Sequence, residues 1–212
     1  MEINKNTWKQ ATRFDPGFAL EWETVLPIQE DWKGKKILDF GCGGGRACFL
    51  LAKRGINIVG LDILEHNIES AKRNFKENNL EGEFKVIEEN KKLSYPNNYF
   101  DGIVCDGVLH HIKYDKFIVG ELHRVLKPKG VLYLMVYTPD LFKLHLPTIT
   151  NMIRNTPEKS WQRCFGELTD DCNYSTFYTV SDIYNLFTIG FWVKEFFLYH
   201  DYQFRIHRLE KR

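Results

Sequence analysis

Two acids and a set of alternating glycines are the residues of this chain best spaced for chemistry. The apolar pair Ile37-Leu38 runs into Asp39-Phe40-Gly41-Cys42-Gly43-Gly44-Gly45-Arg46, and Asp62 closes a second run, Ile56-Asn57-Ile58-Val59-Gly60-Leu61. Glycine lets a backbone turn tightly and pass close beneath a ligand. A carboxylate at the end of the next strand can accept both hydroxyls of a ribose. Strand, glycine turn, helix and acid-bearing strand make a unit that holds a nucleoside-containing ligand. The dinucleotide signature G-x-G-x-x-G is not met: after Gly41 and Gly43 the third position is Arg46, and after Gly43 and Gly45 it is Cys48. Acid-x-Gly-x-Gly-x-Gly suits a smaller ligand without a pyrophosphate. The plainer alternative is that Asp39 and Asp62 cap helices. Their places at two strand ends facing one crevice speak against it.

The elements that must position these residues alternate regularly. Strands are predicted at Ile37 to Phe40, Asn57 to Leu61, Glu83 to Ile87, Gly102 to Cys105 and Val131 to Tyr137. Between them, spacings of three and four put Ala47, Leu50 and Leu51 on one helix face. Ile68, Ala71 and Phe75 share a second, over Glu65 to Asn78, and Ile118, Leu122 and Val125 a third. That third helix stops at Lys127-Pro128-Lys129-Gly130, where proline and glycine end helices. Such alternation argues a parallel sheet with helices on both faces. The rhythm then changes. Ser181 and Asp182 are read as capping a short helix to Thr188. Phe191 to His200 and Gln203 to Leu209 are joined too closely for a crossover, so they must pair antiparallel.

Composition sets limits. The chain has 212 residues, Lys+Arg 29 against Asp+Glu 28, a net charge of +1, and 15 % aromatic residues. A near-neutral balance argues against a nucleic-acid partner. The C-terminal cluster Arg205, His207, Arg208, Lys211 and Arg212 reads as a solvated strand end, with Phe204 and Ile206 buried between. Five cysteines, odd in number and without a CxxC pair, suit a reducing compartment. Cys164, Cys172 and His145 are too loosely spaced for a zinc site, and no metal is expected. No apolar run of about 18 residues occurs, and Met1-Glu2-Ile3-Asn4-Lys5 carries no signal region. A cytoplasmic protein with no membrane partner is expected.

Over residues 35 to 138 the motifs resemble the class I S-adenosylmethionine-dependent methyltransferases, in particular the broad group that includes ubiquinone and menaquinone biosynthesis enzymes. Ile37 to Arg46 is similar to that family's first motif, and Gly60-Leu61-Asp62-Ile63 to its second. Leu93 to Asp101 resembles its run before strand four. Leu122 to Gly130 resembles its helix end before strand five, with Lys129 where glycine is commoner. The resemblance implies an α/β, doubly wound, Rossmann-like fold. Its seven-stranded sheet is mostly parallel and ends in an antiparallel hairpin, with helices on both faces. It also implies S-adenosyl-L-methionine as cofactor and S-adenosyl-L-homocysteine as product. Gly41, Gly43 and Gly45 would pass under the methionine and ribose, Asp62 would take the ribose, and Ile63 would lie against the adenine. Glu89 would receive the adenine amino group in place of an aspartate, and Asn90 would offer a backbone N–H. Asp39 would orient the turn or the cofactor's ammonium, while Cys42 and Asp106 would face the methionine end.

Methyl transfer is an in-line displacement in which the protein mainly positions the nucleophile. A base serves only if the acceptor must lose a proton. The candidates are His111, favoured, and His110, both just past strand four, with Tyr137 second in rank. A histidine bonding backbone at a strand end is the plain alternative. The chain is read as one domain, 1–212: a lid (1–34, with Trp8, Arg13, Phe14 and Trp22), a cofactor-binding core (35–138), a cap (139–179), and a helix with hairpin (180–212). The cap carries Phe142, His145, Trp161, Arg163, Phe165, Tyr174, Phe177 and Tyr178, a density that suits an apolar or planar substrate or else a partner subunit. Arg13, Arg154 and Arg163 are possible carboxylate receivers. The expected function is methylation of an oxygen or nitrogen of a small molecule by a monomer or homodimer. The rivals are a peptide or protein methyltransferase and an inactive cofactor-binding regulatory subunit.

Overall fold

The computed structural model describes residues 30–169, 172–199 and 203–212. The lid residues Trp8, Arg13, Phe14 and Trp22 lie outside them. One seven-stranded sheet runs in the order β3-β2-β1-β4-β5-β7-β6. Its strands are β1 (Lys36–Phe40), β2 (Asn57–Asp62), β3 (Glu83–Val86), β4 (Phe100–Asp106), β5 (Leu126–Tyr137), β6 (Phe191–Tyr199) and β7 (Phe204–Lys211). The first five are parallel, and β7 lies antiparallel between β5 and β6.

Side chains alternate across the strands, so each face of the sheet acquires its own core. Leu38, Phe40, Val59 and Leu61 meet Ile118, Leu122 and Val125 of α3 (Asp115–Val125) and Ile183 and Phe187 of α6 (Val180–Phe187). Ile37 and Ile58 meet Leu50 and Leu51 of α1 (Arg46–Lys53) and Ile68, Ala71 and Phe75 of α2 (Glu65–Glu77). Burying each such side chain stabilises the fold by about 1.5–3 kcal/mol. The cap consists of α4 (Pro139–Asn155) and α5 (Trp161–Thr169), whose aromatic residues form a third cluster with Tyr137.

Two motifs prove to be two sides of one junction. Arg124, near the end of α3, donates to the carbonyls of Leu93 (2.9 Å) and Tyr95 (2.7 Å), while Glu121 accepts the Leu93 N–H (2.8 Å). The run before β4 is thereby fastened to the helix that precedes β5.

Three expectations change. β5 starts at Leu126, which pairs with Phe100, and the register slips before Gly102 meets Val131, so Lys-Pro-Lys-Gly is a bulge within the strand. Lys129 adopts φ 62° there, a left-handed conformation that explains why glycine would be at home in that place. The N-cap of the helix after the cap is Thr179 rather than Ser181, and Asp182 is its capping partner. Thr179 Oγ1 accepts the Asp182 N–H, and the Asp182 carboxylate accepts the Thr179 N–H, completing a capping box. The C-terminal basic cluster is not a solvated end, because β7 is an inner strand. His207 is fully buried, Arg208 pairs with Glu30, and Lys211 donates to the His123 and Leu126 carbonyls (both 2.7 Å) that α3 leaves open at its C-terminus.

Candidate active site

Strand order reverses between β1 and β4, and at such a switch point the loops beyond the strand ends part to leave a crevice. A cavity of about 810 Å³ opens there, bounded by the ends of β1, β2, β4 and β5 and by the end of α5. Gly41, Gly43, Asp62, Ile63, Glu89, Asn90, Asp106, His111 and Tyr137 all line it. Asp39, Cys42, Gly45 and His110 do not.

The glycine turn and Asp62 form one bonded unit. Asp62 Oδ2 accepts the Gly43 N–H (2.9 Å), and Oδ1 accepts the Leu64 N–H (2.9 Å) and the Asn67 amide (3.2 Å). Burial raises the Asp62 carboxyl, and the N–H donors of Leu64 and Gly43 work against that. Gly41 stands at φ 78°, where a Cβ would strike Val108. Gly43 stands at φ 53° with open space where its Cβ would be. Its backbone is therefore the part of the turn a ligand can approach.

The four residues outside the cavity have structural tasks. Gly45, at φ 85°, brings α1 against Ala71, 3.0 Å from where its Cβ would sit. It packs α1 against α2 and does not line the cavity. Cys42 points into the core between β2 and the helices instead of toward the methionine end. Asp39 is buried and accepts the Cys48 thiol (3.0 Å); burial pushes it up to about 7. Asp106, which does reach the cavity, is pushed up to about 6 by burial against the opposing pull of Arg46, 3.6 Å away.

The histidines divide in the same way. His110 is fully buried, stacked on Tyr137 with ring centroids 3.6 Å apart, and its Nδ1 accepts the Tyr137 N–H (3.3 Å). Burial holds it well below the ordinary histidine range. It braces the wall and does not line the cavity. His111 faces the cavity, with Nδ1 held 2.8 Å from Ser175 Oγ, 3.2 Å from the Tyr174 carbonyl and 3.4 Å from Cys172 Sγ.

The cap covers the cavity with other residues than its aromatic ones. Phe142, Trp161, Phe165 and Phe177 pack on each other. Glu167, Leu168 and Thr169 line the wall, joined by Met135 and Phe204. Arg163, a possible carboxylate receiver, is paired with Glu167 at 3.0 Å. Sequence reading missed Arg46, Asn67, Ser175 and α5's last turn. Arg46 alone left a signal, as the residue that breaks the dinucleotide spacing. Among the described residues no cluster of three or more His, Cys, Asp or Glu could hold a metal ion.

A methyltransferase-domain family model matches residues 38–134. Ubiquinone biosynthesis O-methyltransferase from Actinobacillus pleuropneumoniae is 33 % identical over 145 residues, 62 % of this chain and 62 % of that protein. Its namesake from Pseudomonas aeruginosa is 27 % identical over 134 residues, 60 % and 56 %. Residues 38–134 thus carry a methyltransferase domain similar to those of the class I S-adenosylmethionine-dependent enzymes. It spans 56 % to 62 % of the length of these two curated relatives. Solved structures agree in fold: a S-adenosylmethionine-dependent methyltransferase from Methanosarcina mazei has a TM-score of 0.71 at 23 % identity, covering 88 % of this chain and 97 % of the other. A protein from Pyrococcus horikoshii gives 0.73 at 21 %, covering 97 % and 95 %.

The cavity of this methyltransferase domain fits the cofactor of the family it resembles. Asn90 Oδ1, buried beside the cavity, has no donor among the described residues, and the open face of Gly43 leaves backbone exposed to a ligand. Buried carboxylates at Asp62 and Asp106, held above their ordinary range, favour a cationic ligand that relieves their desolvation. Among the described residues no helix is long and apolar enough to cross a membrane.

Proposed function

We propose that the protein transfers a methyl group from S-adenosylmethionine to an oxygen or nitrogen of a small, planar acceptor, with His111 taking the acceptor's proton. The observation that carries this reading is that one cavity runs from Gly43 and Asp62 to His111 and Tyr137. The donor's binding groups and the proton acceptor thus line one cavity, to which Leu168 and Thr169 also contribute. A concave wall with Tyr137, Phe204 and Met135 suits a small molecule better than a peptide laid on a flat surface. The relatives' name, ubiquinone biosynthesis O-methyltransferase, favours oxygen.

Asp62 and the Gly43 backbone would hold the ribose side, with Ile63, Glu89 and Asn90 around the base and Asp106 at the amino-acid end. The cofactor supplies a methyl group on a cationic sulfur that becomes a neutral thioether once the methyl has left. On the acceptor, the bond from oxygen or nitrogen to the methyl carbon forms as its proton passes to His111 and on to water. Alignment by the cavity wall supplies much of the rate, since oriented approach accounts for about 7–11 kcal/mol in favourable cases. Proton removal adds about 10²–10⁴-fold.

The test is isothermal titration with S-adenosylmethionine, S-adenosylhomocysteine and NAD, followed by label transfer from methyl-labelled donor to a panel of small phenols and amines. Binding of both sulfur ligands without NAD, with label on a phenol or amine, is expected. Absence of binding by either sulfur ligand would refute the reading, and label found only on added peptides would move it to a protein substrate.

A further inference from the structure

The strand-like return from the cap is built around His111. Residues 172–178 leave the end of α5 and cross the turn Leu109–His111, giving the Thr176 N–H to the His110 carbonyl (2.9 Å) and the Tyr178 N–H to the Tyr137 carbonyl (2.9 Å). Ser175 is fully buried and Cys172 nearly so. Three atoms of this segment converge on one ring nitrogen, His111 Nδ1: Ser175 Oγ, the Tyr174 carbonyl oxygen and Cys172 Sγ.

The chemistry of those three atoms decides which nitrogen carries the proton. A backbone carbonyl has no hydrogen to give, so at 3.2 Å it can only accept from the ring. The Cys172 thiol directs its own hydrogen to that same carbonyl (3.3 Å), leaving sulfur lone pairs toward the ring. Ser175 Oγ, 3.6 Å from Cys172 Sγ, can turn its hydrogen to the sulfur and accept as well. An unprotonated Nδ1 would set its lone pair against the carbonyl's, at a part-buried place where that repulsion is costly. We propose that Ser175, Cys172 and the Tyr174 carbonyl form a positioning relay that keeps the proton of neutral His111 on Nδ1, so that Nε2 is the nitrogen that takes the acceptor's proton.

This inference rests on the base role given to His111 above, and it adds what fixes that role. The relay also makes the base depend on the cap: the residues that set the ring are reached only after the chain has passed through α4 and α5. Among the described residues, the titratable side chains facing the ring include His110 from its own turn, Tyr137 from β5, and Cys172 and Tyr174 from the return segment, with Glu167 sharing the cavity wall. His110 is kept neutral by burial.

Long-range ¹H–¹⁵N spectra of the full chain with ¹⁵N-labelled histidine read the tautomer directly, His111 being assigned from the signals lost in His111→Gln. The expected wild-type spectrum shows Nδ1 as the protonated, pyrrole-type nitrogen and Nε2 as the pyridine-type one. Ser175→Ala is expected to shift the ring toward the other tautomer and to move its titration midpoint, and Ser175→Thr, which keeps the hydroxyl, to restore both. A wild-type ring protonated on Nε2 overturns the proposal whatever Ser175→Ala does. So does a Ser175→Ala spectrum and titration indistinguishable from wild type. Failure of the underlying reading looks different: His111→Gln would then methylate at the wild-type rate, which overturns the proton-accepting role of Nε2 whatever the ring's tautomer.

Discussion

On the donor side of the cavity, Asp62 is bonded by Leu64, Asn67 and Gly43, which stand 2, 5 and 19 positions away in the chain. On the acceptor side, His111 is bonded by Cys172, Tyr174 and Ser175, at 61, 63 and 64 positions. The first half is a local device, a single βαβ unit whose turn and acid arrive together. The second is assembled from a turn after β4, the end of β5 and the return from the cap, and exists only once the sheet is complete. A local device is a suitable place to hold a part of the ligand that does not change. A wall made of distant pieces can be altered piece by piece, which suits the half that selects the acceptor.

Substitutions can break that contrast. The largest effect is expected at His111. His111→Gln should lower kcat by about 10²–10⁴-fold while S-adenosylmethionine affinity, read by calorimetry, stays put, because the donor half does not use the ring. Equal losses in both would show that the halves are not separable. Next comes Asp62→Ala, which removes a carboxylate serving three donors. Charge-assisted hydrogen bonds contribute about 1.5–3 kcal/mol each, so donor affinity should fall at least about 100-fold. Titration giving an unchanged affinity would mean the ribose is held elsewhere.

Acidity tests the floor beneath the donor half. Burial raises Asp39 from its ordinary 3.8 to about 7. The folded chain therefore keeps a proton there that the unfolded chain gives up from about pH 4 upward. The stability this provides is full below the ordinary aspartate value and is lost as pH rises through about 7, by about 1.4 kcal/mol for each pKa unit of difference. Asp39→Asn, still able to accept the Cys48 thiol, should flatten that decline in urea midpoints measured from pH 4.5 to 8. An unaltered slope would assign it to other groups, of which Asp106, raised to about 6, is the first to examine.

Two glycines of one turn should separate binding from packing. Each alanine costs about 1–2 kcal/mol for the left-handed backbone. Gly45→Ala also forces a methyl against Ala71 and should lower Tm further, with donor affinity nearly intact. Gly43→Ala has room for its methyl, but only toward the cavity, and should lose affinity instead. Thermal melts and calorimetry on the pair would show whether the order is reversed. The smallest effect belongs to Thr179→Ala. It should cost about 1 kcal/mol of stability by removing the cap of α6 and leave transfer kinetics as they were.

What was legible in the sequence follows the same division. The parallel core could be read because helix and strand periods are local, and so could Asp62, since an acid closing a strand next to a glycine turn has few other uses. The motif Leu122 to Gly130 also carried its own signal. Lys129 stood where glycine belongs, and it is the residue with φ 62°. The glycine and cysteine that do not line the cavity show the limit of the same reading. Gly45 and Cys42 sit in the motif as regularly as Gly43 does, and only the approach of Ala71 and the core cluster around β2 distinguish packing from ligand contact.

By itself, then, the sequence determined the βα alternation, the antiparallel hairpin, the glycine turn with an acid at the end of the next strand, and the presence of two histidines after β4. The tertiary structure decided which histidine faces the cavity, that β7 buries His207 and Lys211 instead of exposing them, and that the cap's aromatic residues fill its own core while Glu167, Leu168 and Thr169 meet the ligand space. The physical reason is range. Period and turn chemistry act over a few residues and leave their mark in order along the chain. Burial and the convergence of Cys172, Tyr174 and Ser175 on one nitrogen depend on segments brought together from more than sixty positions apart, and no local pattern records them.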